Sequence, residues 1–172
     1  MYLTEMNDLL GDDYATHRFL SEIFHAQRIL FQRRAQRVFV LSKKPAGQGS
    51  KDILPIIASV KSGDEFLFVI RLNPVVTKFL DGKNRRVPVE APKIRAWVES
   101  VLSKNGFTTE FTFKTEGMRR SVKGHGHISL FSVLVNGVLV VTDPDLFMKA
   151  VEKGIGHGKG LGFGFLNIFD FI

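Results

Sequence analysis

Apolar and polar positions change period along the chain, and each change marks an element. Residues 1–6 alternate as a short first strand, and Asp12-Asp13 offers N-cap chemistry to a helix over about residues 14–33. At about 100° per residue, Phe19, Ile23, Phe24, Leu30 and Phe31 share one side of that helix, with Gln27 the dissenting position. Residues 37–42, 53–60 and 65–72 read as strands, the first two joined by a Gly/Ser/Pro-rich loop over 44–50. Asn73-Pro74 and the basic, Gly-containing stretch 81–86 form a punctuated connection. Pro92 then opens a second helix that buries Ile94, Trp97, Val98, Val101 and Leu102 and stops at Asn105-Gly106.

The same order of elements returns in the second half. Residues 107–114 form a strand, and 128–135 with 138–141 flank Asn136-Gly137, a type I′ hairpin signal. Asp143-Pro144 caps a third helix that buries Leu146, Phe147, Ala150 and Val151 and closes at Gly154; an apolar terminal strand spans 165–172. The pattern predicts an α+β chain of two tandem ferredoxin-like (RRM-like) domains, residues 1–86 and 87–172. The first is shortened, because no second helix stands between 53–60 and 65–72.

Composition narrows the classes. An apolar share of 44% over 172 residues, with 24% charged, excludes a disordered or fibrous chain. The absence of Cys excludes disulfides, thiolate metal sites and a thiol nucleophile. No long uncharged apolar run occurs, and Glu5 and Asp8 stand where a secretory leader needs a basic start, so a cytoplasmic location without membrane insertion is expected. The net charge of +7 is unevenly placed. Residues 23–51 carry Arg28, Arg33, Arg34, Arg37, Lys43, Lys44 and Lys51 with no acid. A second basic cluster holds Lys114, Arg119, Arg120 and Lys123, followed by His125 and His127, and a third holds Lys153, His157 and Lys159. Brought together, these clusters make the footprint of a nucleic-acid binder; left apart, they are a solvated basic face.

Residues 154–164, GIGHGKGLGFG, place glycine at every even position. If the segment is partly extended, one face carries no side chain, and a backbone or a phosphate chain can approach the N–H groups, with Gly158 and Gly160 beside the charges of His157 and Lys159. A phosphate-binding P-loop is excluded, because Gly160 stands where Ser or Thr is required, and the dinucleotide fingerprint is out of frame. The alternative reading of the glycines is a flexible connection from the third helix to the last strand. On the first helix, Tyr14, His17, Ser21 and Arg28 line one border of the apolar face. An imidazole, a phenol, a hydroxyl and a guanidinium suit proton transfer and phosphate orientation, although helical position alone favours a surface histidine. His125 and His127 lack a third ligand at useful spacing, so no metal and no cofactor is expected.

Taken in order, MYLTEM, Tyr14-x-x-His17, FVIRLNP at 68–74, RRVPV at 85–89, Ala96-Trp97, NGVLVVTDP at 136–144 and the glycine segment resemble the CasE-type CRISPR RNA endoribonucleases of the RAMP superfamily. The resemblance covers most of the chain. It implies two ferredoxin-like domains side by side and metal-independent cleavage of precursor CRISPR RNA at the repeat hairpin, with His17 and Tyr14 as the catalytic pair. It also implies a guide-RNA complex with other CRISPR-associated subunits as the setting. RNA contacts are then expected from Ser21, Arg28, Arg33, Arg34, Arg37, Arg119, Arg120, Lys123, His157, Gly158, Lys159 and Gly160. The alternative is a non-cleaving subunit that caps a guide RNA. The chain departs from the family in being short between Arg37 and Phe66.

Overall fold

The computed structural model describes residues 1–25, 27–47 and 49–169. The elements are β1 (Tyr2–Asn7), α1 (Asp13–Ile23), β2 (Leu30–Arg34), β3 (Arg37–Ser42), β4 (Ser50–Asp52), α2 (Leu54–Ala58), β5 (Glu65–Leu72), β6 (Val75–Leu80), β7 (Lys83–Pro88), α3 (Ile94–Leu102), β8 (Phe107–Lys123), β9 (Gly126–Val141), α4 (Pro144–Lys153) and β10 (Asn167–Ile168). They build two four-stranded antiparallel sheets, ordered β2-β3-β1-β4 and β10-β5-β9-β8, and a separate hairpin of β6 and β7. The class is mixed α+β, as expected. In the second sheet the chain runs strand, helix, strand, strand, helix, strand as β5, α3, β8, β9, α4 and β10, with the β6–β7 ribbon inserted after β5. The first sheet repeats the strand order without a helix between β3 and β4.

Four expectations are corrected. The strand at 65–72, counted with the first half, pairs with β9 and β10, so the sheets part between Asp52 and Glu65 and not at residue 86. The first helix ends at Ile23, not near 33: His25 takes φ +49°, the chain reverses, and Leu30–Arg34 pairs with β3. Leu30 and Phe31 fit the helical period over a short window, but both are buried from a strand. Phe19 and Ile23 are accordingly 44% and 37% exposed, while Leu20 of α1 and Phe24, its C-cap, pack with Ile29, Phe31, Val38 and Val40. Residues 53–60 contain the short helix α2, with Pro55 in its first turn, and not a strand.

The fourth correction concerns the hairpin. Asn136-Gly137 lies in the middle of β9, opposite Val69 and Phe68 on one side and Thr112 and Phe111 on the other. Glycine is there because the strands approach closely: a Cβ at residue 137 would stand 2.0 Å from the Glu110 carbonyl oxygen. The turn is at Gly124-His125, and β8 and β9 continue as a two-stranded arm beyond the end of β5. Of the terminal strand expected at 165–172, Asn167 and Ile168 pair with β5, and residues 170–172 lie outside the described residues.

The larger core joins the second sheet to α3 and α4, with Phe68, Ile70, Val98, Leu102, Phe107 and Phe147 fully enclosed. Leu146, expected inside, is exposed on α4. Among the described residues, no helix is long and apolar enough to cross a membrane.

Candidate nucleic-acid interface

Helix α1 begins where Asp12 accepts the Ala15 N–H at 2.8 Å, and the Thr16 hydroxyl donates to the Asp12 carbonyl at 2.7 Å. This start sets the phase of the helix. Tyr14, His17, Arg18, Ser21 and Glu22 line an open cleft of about 490 Å³, with Lys123 of β8 across from them. Arg18 was not singled out in the sequence, although it lies four residues after Tyr14, the spacing that places two side chains on one helix face.

The glycine segment reaches the same place. It is not extended: Gly154, Gly156, Gly158, Gly162 and Gly164 all have positive φ, and Lys159–Leu161 is a 3₁₀ turn. Its two ends cross, and a Cβ at Gly164 would lie 2.3 Å from the Ile155 carbonyl oxygen, which only glycine allows. Gly160 lies against His17, where a Cβ would be 3.7 Å from Cε1 of the ring. Nδ1 of His17 is buried without a hydrogen-bond partner, and the ring lines the cleft. The Ser21 hydroxyl donates to the His17 carbonyl at 2.8 Å and keeps its lone pairs free.

The basic residues separate into two groups. In the first, each side chain already has a partner within the protein. Arg28 donates to the Lys153 carbonyl at 2.9 Å, and Lys159 donates to the carbonyls of Lys153 at 2.8 Å and Gly154 at 2.7 Å, where the C-terminal end of α4 is negative. Burial, with the Arg28 charge adding to it, holds the Lys159 amine below its ordinary value. Arg33 binds Asp8 at 2.7 Å and Asp13 at 3.0 Å, and Arg119 donates to both oxygens of Asp13 at 2.9 Å. The charges of Arg33 and Arg119, expected to meet RNA, are thus matched by internal carboxylates. Burial works against ionisation of Asp8, but the bonds from Arg33 and from the Gly11 and Leu10 N–H groups outweigh it and hold the carboxyl below its usual range.

In the second group, Arg120 and Lys123 are exposed on β8, Arg34 is exposed over the Phe169 ring at 5.4 Å, and Arg37 is exposed with Glu5 3.4 Å away. His157 is exposed in the glycine segment, and His125 and His127 stand at the tip of the β8–β9 arm. Among the described residues, no three His, Cys, Asp or Glu side chains gather as a metal-binding group.

Sequence reading also missed an ion pair behind this surface, in which the arginine is buried. Arg71 of β5 donates to Glu116 through Nε at 2.7 Å and Nη2 at 3.1 Å, and through Nη1 to the Arg33 carbonyl at 2.9 Å. Glu116 reaches it from a β-bulge: Thr115 opposes Val133 and Gly117 opposes Ser132, so Glu116 is the extra residue. Burial raises the Glu116 carboxyl, but Arg71 and the Ser132 hydroxyl bring it below its ordinary value. The local signal was Gly117, with φ +77° inside a long strand.

A family model described as CRISPR associated protein matches residues 3–169. The CRISPR-associated endoribonuclease Cse3 of Thermus thermophilus is 28% identical over 127 residues, 66% of this chain and 60% of that protein. The match thus spans under two thirds of the relative's length. Among solved structures, CRISPR endoribonuclease Cse3 bound to a 19-nucleotide RNA superposes with a TM-score of 0.78 at 23% identity, covering 98% of this chain and 99% of the other. The CRISPR-associated protein Cas6e of Escherichia coli K-12 gives 0.78 at 22%, covering 98% of each chain. A chain of a CRISPR RNA-guided surveillance complex gives 0.79 at 19%, covering 98% of this chain and 99% of that one. At these identities the structural likeness is one of fold.

Proposed function

Because the chain belongs to the CRISPR associated protein family, we propose that it binds the hairpin of a CRISPR repeat RNA and cuts the precursor transcript there. The observation that carries the reading is His17 beside Tyr14 in a cleft that ends on Lys123. In the proposed step the 2′-oxygen of the nucleotide before the cut bonds to the adjacent phosphorus as the P–O5′ bond breaks. His17 moves the proton from the attacking to the leaving oxygen. The products are a 2′,3′-cyclic phosphate and a 5′-hydroxyl, so atoms and charge balance without a covalent enzyme intermediate. Tyr14, Ser21, Arg18 and Lys123 orient the phosphate and offset the charge that develops on it.

Arg34, Arg37, Arg120 and His157 are the exposed groups suited to the RNA backbone, which in an A-form stem is read by shape more than by base edges. Arg28 and Lys159 act one step back, by tying the glycine segment to the end of α4. We place the protein in the cytoplasm, holding its product in a guide-RNA complex with other CRISPR-associated subunits, in keeping with the RNA-bound and complex-borne chains that share its fold.

The test is incubation of wild type and His17→Ala with the repeat hairpin RNA in excess EDTA. Cutting by wild type alone, leaving a cyclic phosphate, is the expected result. Binding without cutting would make the protein a cap for a guide RNA.

A further inference from the structure

We infer that Asp13 is a positioning residue for the cleft, holding the free β8–β9 arm, and with it Lys123, at a set distance from His17. The inference rests on the reading of that cleft as the place of cleavage. Asp13 is in the first turn of α1, a position normally open to water, yet it is 4% exposed. Capping does not explain it, because Asp12 supplies the cap. Its carboxylate instead accepts from Arg33 of β2 through Oδ1 and from Arg119 of β8 through both oxygens.

Arg119 stands on the part of the arm that has lost its third strand. Strand β5 pairs with β9 only from Val133 to Val140, so residues 117–123 and 126–132 form a two-stranded ribbon. Such a ribbon is marginal on its own and is held by what packs against it, here Asp13 on Arg119 together with the burial of Ser121 and the placement of Leu130 beside Gly158. Arg119, Ser121 and Lys123 alternate onto one face, the face that Asp13 holds and from which Lys123 enters the cleft. On α1, Asp13 and His17 are one turn apart on the same helix side. One carboxylate therefore ties the strand that bears the cation to the helix that bears the imidazole. Arg33 has Asp8 as a second partner, whereas Arg119 bonds Asp13 as its one carboxylate among the described residues.

The chain has no cysteine, so paired spin labels at Glu22→Cys on α1 and His125→Cys at the arm tip report the arm's position directly. The labels go into the otherwise wild-type protein and into Asp13→Asn and Arg119→Lys. The expected distance distribution is narrow in the first and shifted or broadened in both variants. Without labels, the single-turnover cutting rate of Asp13→Asn falls on the order of 10- to 100-fold while hairpin affinity is retained. Arg119→Lys, which keeps the charge and loses the fork, falls less. An unchanged distance distribution in the two variants overturns the inference, even if cutting slows. If wild type does not cut at all, the proposed activity fails, and the distance measurement still decides whether Asp13 holds the arm. Should Asp13→Asn not fold, Arg119→Lys carries both measurements.

Discussion

Arg71 of β5 and Glu116 of β8 meet as a two-bond pair, Nε to Oε2 at 2.7 Å and Nη2 to Oε1 at 3.1 Å, across the intervening strand β9 of the second sheet. The Arg71 side chain is 5% exposed, so removing its partner leaves a buried cation that keeps the Arg33 carbonyl as an acceptor. Glu116→Ala is expected to destabilise the fold by about 3 kcal/mol, read by chemical denaturation.

Two carboxylates bound to arginine shape the acid response. Asp8 and Glu116 are both held below their ordinary values of 3.8 and 4.5. A depressed carboxyl contributes stability that is present above its unfolded value and lost as pH falls through the folded one. The melting temperature should therefore hold steady above pH 5 and fall as pH drops below about 4.5. Glu116→Gln should flatten part of that fall.

Gly137 is the strictest position in the second sheet. A methyl group there would overlap the Glu110 carbonyl at 2.0 Å and Cα of Phe111 at 2.8 Å. Gly137→Ala must part β8 from β9 at mid-strand, with a cost of about 1–3 kcal/mol or more and loss of the melting transition at physiological temperature as the extreme outcome. Gly124→Ala, in the open turn at the arm tip, meets no neighbour and should cost about 1 kcal/mol through its positive φ alone.

Salt dependence separates the two groups of cations. Arg120→Ala with Lys123→Ala should lower the slope of log affinity against log salt by about 1.5–2, one phosphate contact for each residue. Arg28→Ala should leave that slope unchanged, since its guanidinium is bound to the end of α4. A filter-binding series at several salt concentrations with hairpin RNA distinguishes the two.

The α+β class, the capped start of α1 and the border that carries Tyr14, His17 and Ser21 were legible in the sequence because they depend on local periodicity and capping. A helix phase fixed by Asp12 places residues 14, 17 and 21 on one line whatever packs against them. The end of that helix was not legible, since Ile29, Leu30 and Phe31 satisfy a helix or a strand until the partner β3 is known. The Asn136-Gly137 hairpin misled for a related reason: the glycine answers to a neighbouring strand and not to a turn. Arg33 and Arg119 looked like free cations because their partners Asp8 and Asp13 are remote from the basic runs, and Arg119 is 106 residues from the carboxylate that holds it. Arg71 and Glu116 were invisible on the same ground.

Among the described residues the β6–β7 ribbon pairs with neither sheet, and Val89 N–H to the Pro74 carbonyl at 2.9 Å closes its base. Phe79 near its tip is 72% exposed, so little of the core depends on what the ribbon contains. Its length is therefore a free variable of this architecture. Residues can be added or removed between Val75 and Pro88 with the two ends still a hydrogen bond apart, which makes the ribbon the natural place to graft a foreign loop without refolding the scaffold beneath it.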